Sequence, residues 1–114
     1  MKTKSAKAKG RRLCAEIVEL LYKYAPDLKS GDIRVTSSGA TGEDVLLSPA
    51  ALELYPLAIE AKCQEHLNVW AALEQAESHV KDDGTFQVPA LFFRRNRGKT
   101  YVALLAEDFL RLVR

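Results

Sequence analysis

No run of 18 or more apolar residues occurs in this 114-residue sequence, which excludes a helical membrane span. The basic start leads into an amphipathic segment rather than an apolar stretch ending in small residues, so no secretory signal is expected. Cysteine is scarce. Cys14 and Cys63 make no disulfide framework, and a reducing compartment is the simpler expectation. Cys63-x-x-His66 has no second pair at zinc-ligand spacing, so Cys14, Cys63, His66 and His79 read as packing and surface residues. There is no Gly-x-Ser-x-Gly elbow, and residues 39–42 lack the Gly-Lys-Ser/Thr of a phosphate loop. No internal repeat is present, and low complexity is confined to the Lys/Ala-rich start. What remains, at 47% apolar and 28% charged residues, is one ordinary globular domain, long enough to hold a core without disulfide or zinc staples.

The net charge of +2 hides a split. Residues 1–12 hold Lys2, Lys4, Lys7, Lys9, Arg11 and Arg12 and no acid; the remainder has eleven basic against fifteen acidic residues. Residues 1–9 read as a basic flexible arm and 10–114 as the domain. A second cluster, Arg94, Arg95, Arg97 and Lys99, lies between two apolar runs and reads as a hairpin tip with Asn96 and Gly98 supplying the turn. Basic patches on an otherwise acidic domain suit phosphate backbones, where each neutralised phosphate releases counterions.

Leu13, Ile17, Leu20, Leu21 and Tyr24 predict an amphipathic helix over 11–24, ended before Pro26. Short strands follow at 33–36 and 44–47, separated by a loop through Gly39 and Gly42. Ser48-Pro49 reads as an N-cap with proline at the first helical position, and Pro56 ends that short turn of helix. Residues 57–62 form a mostly buried strand carrying two charges. Asn68 caps a helix through about Lys81 with Val69, Leu73, Ala76 and Val80 on one face, and Trp70 reads as core rather than as a base-stacking platform. Strands at 88–93 and 100–105 and a helix at 107–113 complete the order α-β-β-β-α-β-β-α, an α/β fold with a central mixed sheet flanked by helices.

Three charges stand out on these apolar strands. Alternation places Glu60 and Lys62 on one face of their strand and Ile59 and Ala61 on the other, while Asp44 leads the preceding strand. If those strands pair, two carboxylates and an ammonium converge at one end of the sheet. Two carboxylates at one point repel unless a hard cation lies between them. The plainer alternative is a salt bridge between Lys62 and either acid at a strand edge. A Glu-x-Lys triplet is weak by itself, since nine Glu and nine Lys in 114 positions give about 0.7 by chance. Asp27-Leu28-Lys29, in a polar loop, is a decoy of related form. The context carries the signal: a helix with an acid, a strand-borne acid after a glycine loop, then Glu-x-Lys on an apolar strand followed by a helix.

In this context the chain resembles the PD-(D/E)XK nuclease superfamily, in particular its small Holliday junction resolvase-like and phage-encoded endonucleases. Residues 9–13, 35–45 and above all 59–76 carry the likeness. The resemblance implies a restriction-endonuclease-like core. It places Asp44 as the strand-leading acid, with Glu43 standing where the superfamily motif has proline, and Glu60 and Lys62 as the Glu-x-Lys. An acid on the first helix is also implied, and Glu16 and Glu19 compete. With apolar residues centred at about +20° from Leu13, Glu16 at about −60° borders the sheet-facing side and Glu19 at about −120° points outward, so Glu16 is preferred. Gln75 matches a polar position directed towards the site.

The implied activity is metal-dependent hydrolysis of phosphodiester bonds in DNA, with branched or otherwise structured DNA such as four-way junctions as the substrate. With only two histidines an HNH-type nuclease is not expected. Mg²⁺, with Mn²⁺ as a substitute, would be held by Asp44, Glu60, the Ala61 carbonyl and Glu16, with Lys62 orienting the water and offsetting developing charge. Lys9, Arg11, Arg12, Arg34, Ser37, Arg94, Arg95, Arg97 and Lys99 are the candidate backbone contacts. Resolvase-like relatives imply a homodimer, to which Phe109, Leu110 and Val113 could contribute. Resemblance and free cysteines together imply the cytoplasm of a bacterium or phage-infected host. The competing reading is a non-catalytic DNA-binding or assembly protein that retains the fold.

Overall fold

Leu13, Ile17 and Leu21, four residues apart, form a buried stripe along the first helix, α1 (Lys4–Lys23). The computed structural model describes residues 4–37 and 42–114; Lys2 and residues 38–41 of the glycine loop lie outside them. The helix starts earlier than its apolar spacing predicts, because Lys and Ala are strong helix formers. The described part of the expected flexible arm, residues 4–9, therefore belongs to α1, as do Arg11 and Arg12. Pro26 disfavours helix in the residue before it, and Lys23 sits favourably in the last turn.

The remaining elements are β1 (Ile33–Val35), β2 (Val45–Leu47), α2 (Pro49–Leu54), β3 (Leu57–Cys63), α3 (Val69–Ser78), β4 (Val88–Arg94), β5 (Tyr101–Ala103) and α4 (Ala106–Leu112). Ser48 caps α2 by accepting the Ala51 N–H at 3.1 Å, with Pro49 at the first turn. Asn68 caps α3 in the same way from Ala71. α3 ends at Ser78, short of the expected Lys81, and β5 stops at Ala103, two residues before the expected end.

Five strands form one open mixed sheet in the order β1-β2-β3-β4-β5. β1/β2, β2/β3 and β4/β5 are antiparallel, and β3/β4 is parallel, with α3 as its crossover. Because strand side chains alternate, the β3–β4 register sorts residues into two faces. Ile59, Ala61, Ala90 and Phe92 pack with Leu13, Cys14, Ile17 and Leu21 of α1 and with Ile33 and Val45. The opposite face carries Ala58, Glu60 and Lys62 of β3 beside Pro89, Leu91 and Phe93 of β4, and α3 covers part of it with Ala72 and Ala76. Full burial of Leu13, Ile17 and Ile59 contributes roughly 1.5–3 kcal/mol per side chain.

Trp70 is not core: it is 79% exposed in the first turn of α3. The buried stripe of that helix is Ala72 and Ala76, with Val69, Leu73 and Val80 only half-buried, because small side chains let α3 lie close to the sheet. Phe109, Leu110 and Val113, on and just after α4, are exposed. Among the described residues no helix is long and apolar enough to cross a membrane.

Candidate functional site

The loop leaving β1 is clamped at its ends. Thr36 donates its backbone N–H to the Asp44 carbonyl at 3.0 Å and its hydroxyl to the Glu43 carbonyl. β2 starts at Val45, so Asp44 sits one residue before the strand rather than on it. Its N–H donates to the Ile59 carbonyl at 2.9 Å, and its carboxylate Oδ2 accepts the Ala61 N–H at 2.8 Å. The side chain thus takes the place of a ladder rung just before β2 begins. Asp44 is fixed in the plane of the sheet against the residue between Glu60 and Lys62.

Glu60 is 2% exposed on the α3 face, and its Oε2 lies 2.9 Å from His79 Nδ1 at the C-cap of α3. Ala72, Ala76 and His79 follow the i, i+4, i+7 spacing of one helical stripe, which is how α3 delivers the imidazole. Lys62 is half-buried beside Glu60 on the same face, and among the described residues no carboxylate lies within ion-pairing distance of it. Among the described residues the alternative of a Lys62 salt bridge is therefore not present, and an imidazole lies against Glu60.

Cys14 reads the field of the two acids. Its buried thiol is pushed up to about 11, first by burial and then by the negative charges of Asp44 and Glu60. The thiol on α1 thus feels the charge of both carboxylates, from the face of the sheet opposite His79.

Glu16 does not join them. It is exposed on α1, which covers the opposite face of β3 from Glu60, and it is ion-paired with Arg94 at the end of β4. Glu16 raises the Arg94 guanidinium above its ordinary range, chiefly through that hydrogen bond. One expected metal ligand and one expected phosphate contact are therefore bound to each other. Glu19 is exposed as well. Gln75 is exposed on α3, and the residue that reaches Glu60 is His79, one turn further along.

Of the remaining expected DNA contacts, Arg11, Arg12, Arg34, Ser37, Arg95, Arg97 and Lys99 are exposed, and Lys9 is half-buried. Arg34 alternates with the buried Ile33 and so lies on the Lys62 face. The hairpin between β4 and β5 turns as expected, with Gly98 N–H donating to the Arg95 carbonyl at 2.9 Å and Arg97 at a φ of 62°.

The sequence reading missed Glu43, Gln87 and His79. Glu43 and Gln87 are each 8% exposed, and Gln87 Nε2 approaches Glu43 Oε1 at 3.5 Å. With Glu60 they are the buried polar residues among those described. Only the adjacency of Glu43 to Asp44 could have pointed to it; the stripe spacing from Ala72 and Ala76 could have pointed to His79.

Asp44, Glu60 and the Ala61 carbonyl are hard oxygen donors of the kind Mg²⁺ takes. Glu16 does not belong to that set. Among the described residues no three His, Cys, Asp or Glu side chains already converge as a metal-holding group. No family model matches the chain, nor does any curated protein or solved structure.

Proposed function

We propose that the protein is a metal-dependent endonuclease acting on DNA, with branched or structured DNA as its substrate. The observation that carries this reading is the hydrogen bond from the Ala61 N–H to the Asp44 carboxylate, which sets one acid, just before the start of β2, against the Glu60-Ala61-Lys62 triplet. The single open mixed sheet of five strands with helices around it is compatible with this reading, although α2 stands between β2 and β3 where the expected order has none.

Mg²⁺, or Mn²⁺ in its place, would be held by Asp44, Glu60 and the Ala61 carbonyl and would supply Lewis acidity and an ionised water. The chain's own residues do the rest. Lys62, next but one to Glu60 on the same face, offsets charge developing on the phosphate. Val45, Ile59 and Ala61 fix the two strands that carry the acids. His79 holds Glu60 from α3. Arg34, Arg95, Arg97 and Lys99 supply sequence-independent backbone contacts. Cutting two strands calls for a two-fold dimer, and the exposed Phe109, Leu110 and Val113 are the surface offered for it.

The test is to incubate the protein with four-way junction, linear duplex and single-stranded DNA, in Mg²⁺ or EDTA, beside Glu60→Ala. Metal-dependent cutting lost in the variant supports the reading and ranks the substrates. Binding without cutting in both Mg²⁺ and Mn²⁺ selects a second reading, a non-catalytic DNA-binding protein. The engagement of Glu16 by Arg94, which leaves the site one acid short of the expected set, is the observation that favours it.

A further inference from the structure

Lys62, Phe93 and Tyr101 stand in one row across three neighbouring strands: Lys62 is the register partner of Phe93, and Phe93 of Tyr101. Side-chain alternation puts all three on the face that bears Glu60. With strands about 4.8 Å apart, Tyr101 lies about 10 Å across the sheet from Lys62. The two rings form a tilted pair, with centroids 6.2 Å apart and planes at 34°. Phe93 is half-buried, whereas Tyr101 is 59% exposed on the edge strand. Tyr101 thus leaves one aromatic face open to solvent on the face that bears Glu60 and Lys62.

These rings line a cleft of about 390 Å³ together with Leu67, Val69, Arg95 and Lys99. That volume lies at the lower end of the range for small-molecule sites, enough for a single nucleotide rather than a duplex. The charge around it is complementary to phosphate. Arg95, Arg97 and Lys99 have no carboxylate within ion-pairing distance among the described residues. The acid at the cleft, Glu65, is engaged by the Asn96 N–H at 2.7 Å, which also ties the hairpin turn to the segment leading into α3. Arg94 also lines the cleft, but its guanidinium is ion-paired with Glu16 of α1. Trp70, the residue after Val69, adds a second exposed aromatic at the start of α3.

We infer that this cleft is a subsite for one unpaired nucleotide of a nucleic-acid strand. The base stacks on Tyr101, backed by Phe93, and its phosphate lies against Arg95 and Lys99. This deepens the nuclease reading, on which its placement rests: a strand anchored about 10 Å from Lys62 presents a phosphodiester one or two nucleotides along to Asp44, Glu60 and Lys62. Stacking on an open aromatic tolerates any base but needs one that has left its helix. The substrate feature selected is therefore an unpaired nucleotide at a junction, flap or single strand.

The experiment is equilibrium binding in EDTA, so that no cleavage is required. The probes are a single-stranded oligonucleotide containing 2-aminopurine and a blunt duplex of the same length. Tyr101→Leu keeps an apolar contact with Phe93 but removes the flat face; Tyr101→Trp restores it. Tyr101→Leu is expected to weaken single-strand binding about tenfold and to relieve 2-aminopurine quenching, with duplex affinity changed less than about twofold. Tyr101→Trp is expected to recover both. Arg95→Ala with Lys99→Ala is expected to weaken binding and to flatten its salt dependence by up to about two counterions.

Unchanged quenching in Tyr101→Leu overturns the inference, as does an equal loss on single strand and duplex, or no single-strand binding by the wild type. Stacking that behaves as expected in a protein that never cuts leaves the subsite standing and removes the nuclease reading. Metal-dependent cutting that is indifferent to Tyr101 does the reverse.

Discussion

The carboxylate of Asp44 accepts the backbone N–H of Ala61 at 2.8 Å, so an acid one residue before β2 supplies a ladder rung to β3. The same side chain thereby has a structural duty and a proposed chemical one. The two are separable by substitution.

Asp44→Asn keeps an oxygen for the Ala61 N–H and is expected to unfold in urea within about 1 kcal/mol of wild type. Asp44→Ala leaves that N–H without an acceptor and is expected to cost about 2 kcal/mol. Both should abolish metal-dependent cleavage. Equal stability of the Asn and Ala variants in urea would show that the hydrogen bond contributes nothing.

For Glu16 the expectation is mild. Its Arg94 partner is mostly buried while Glu16 is half exposed, so the pair is expected to contribute about 1 kcal/mol in a double-mutant cycle of Glu16→Ala and Arg94→Ala. Glu16→Ala should reduce cleavage by less than about tenfold. A loss as complete as that of Glu60→Ala would place Glu16 in the site after all.

His79→Ala removes the imidazole contact of a carboxylate that is 2% exposed, and is expected to destabilise the fold by about 2 kcal/mol. His79→Gln retains a donor and should recover more than half of that loss. Identical urea midpoints for the two variants would mean that packing, not the contact with Glu60, is what His79 supplies.

Burial, with the negative charges of Asp44 and Glu60, pushes the Cys14 thiol up from its ordinary 9.0 to about 11. A group whose pKa is raised by folding favours the folded state fully below its unfolded value and loses that contribution as pH rises through the folded one. Stability is therefore expected to fall between about pH 9 and 11, and Cys14→Ala should flatten that slope. At pH 8 a thiol reagent should modify the half-exposed Cys63 well before the buried Cys14. Equal rates at the two thiols would contradict the burial and charge that surround Cys14.

Much of this architecture was legible in the sequence because it follows local rules. Ser48-Pro49 capped its helix, Asn68 capped α3, Pro26 set the end of α1, and Gly98 closed the β4–β5 turn. Alternation correctly placed Glu60 and Lys62 on one face. It could not say which helix covers that face, and this is where Glu16 went astray: a helical wheel ranks residues around α1 but does not reveal that α1 packs on the side away from Glu60. Trp70 misled for a related reason. Helical spacing marks an apolar stripe, but the stripe that packs is Ala72 and Ala76, and a ring of that size does not fit where α3 lies close to the sheet. His79 and Glu43 depend on contacts across 19 and 44 positions of the chain, which no local pattern encodes.

The central claim is that Asp44, Glu60 and the Ala61 carbonyl take up one divalent cation. Mn²⁺ binding followed by electron paramagnetic resonance tests it most directly, on the wild type and on Asp44→Asn, without DNA. One Mn²⁺ per chain, displaced by Mg²⁺ and bound at least about tenfold more weakly by Asp44→Asn, is the expected result. No uptake by the wild type, or uptake indifferent to Asp44, would contradict the account.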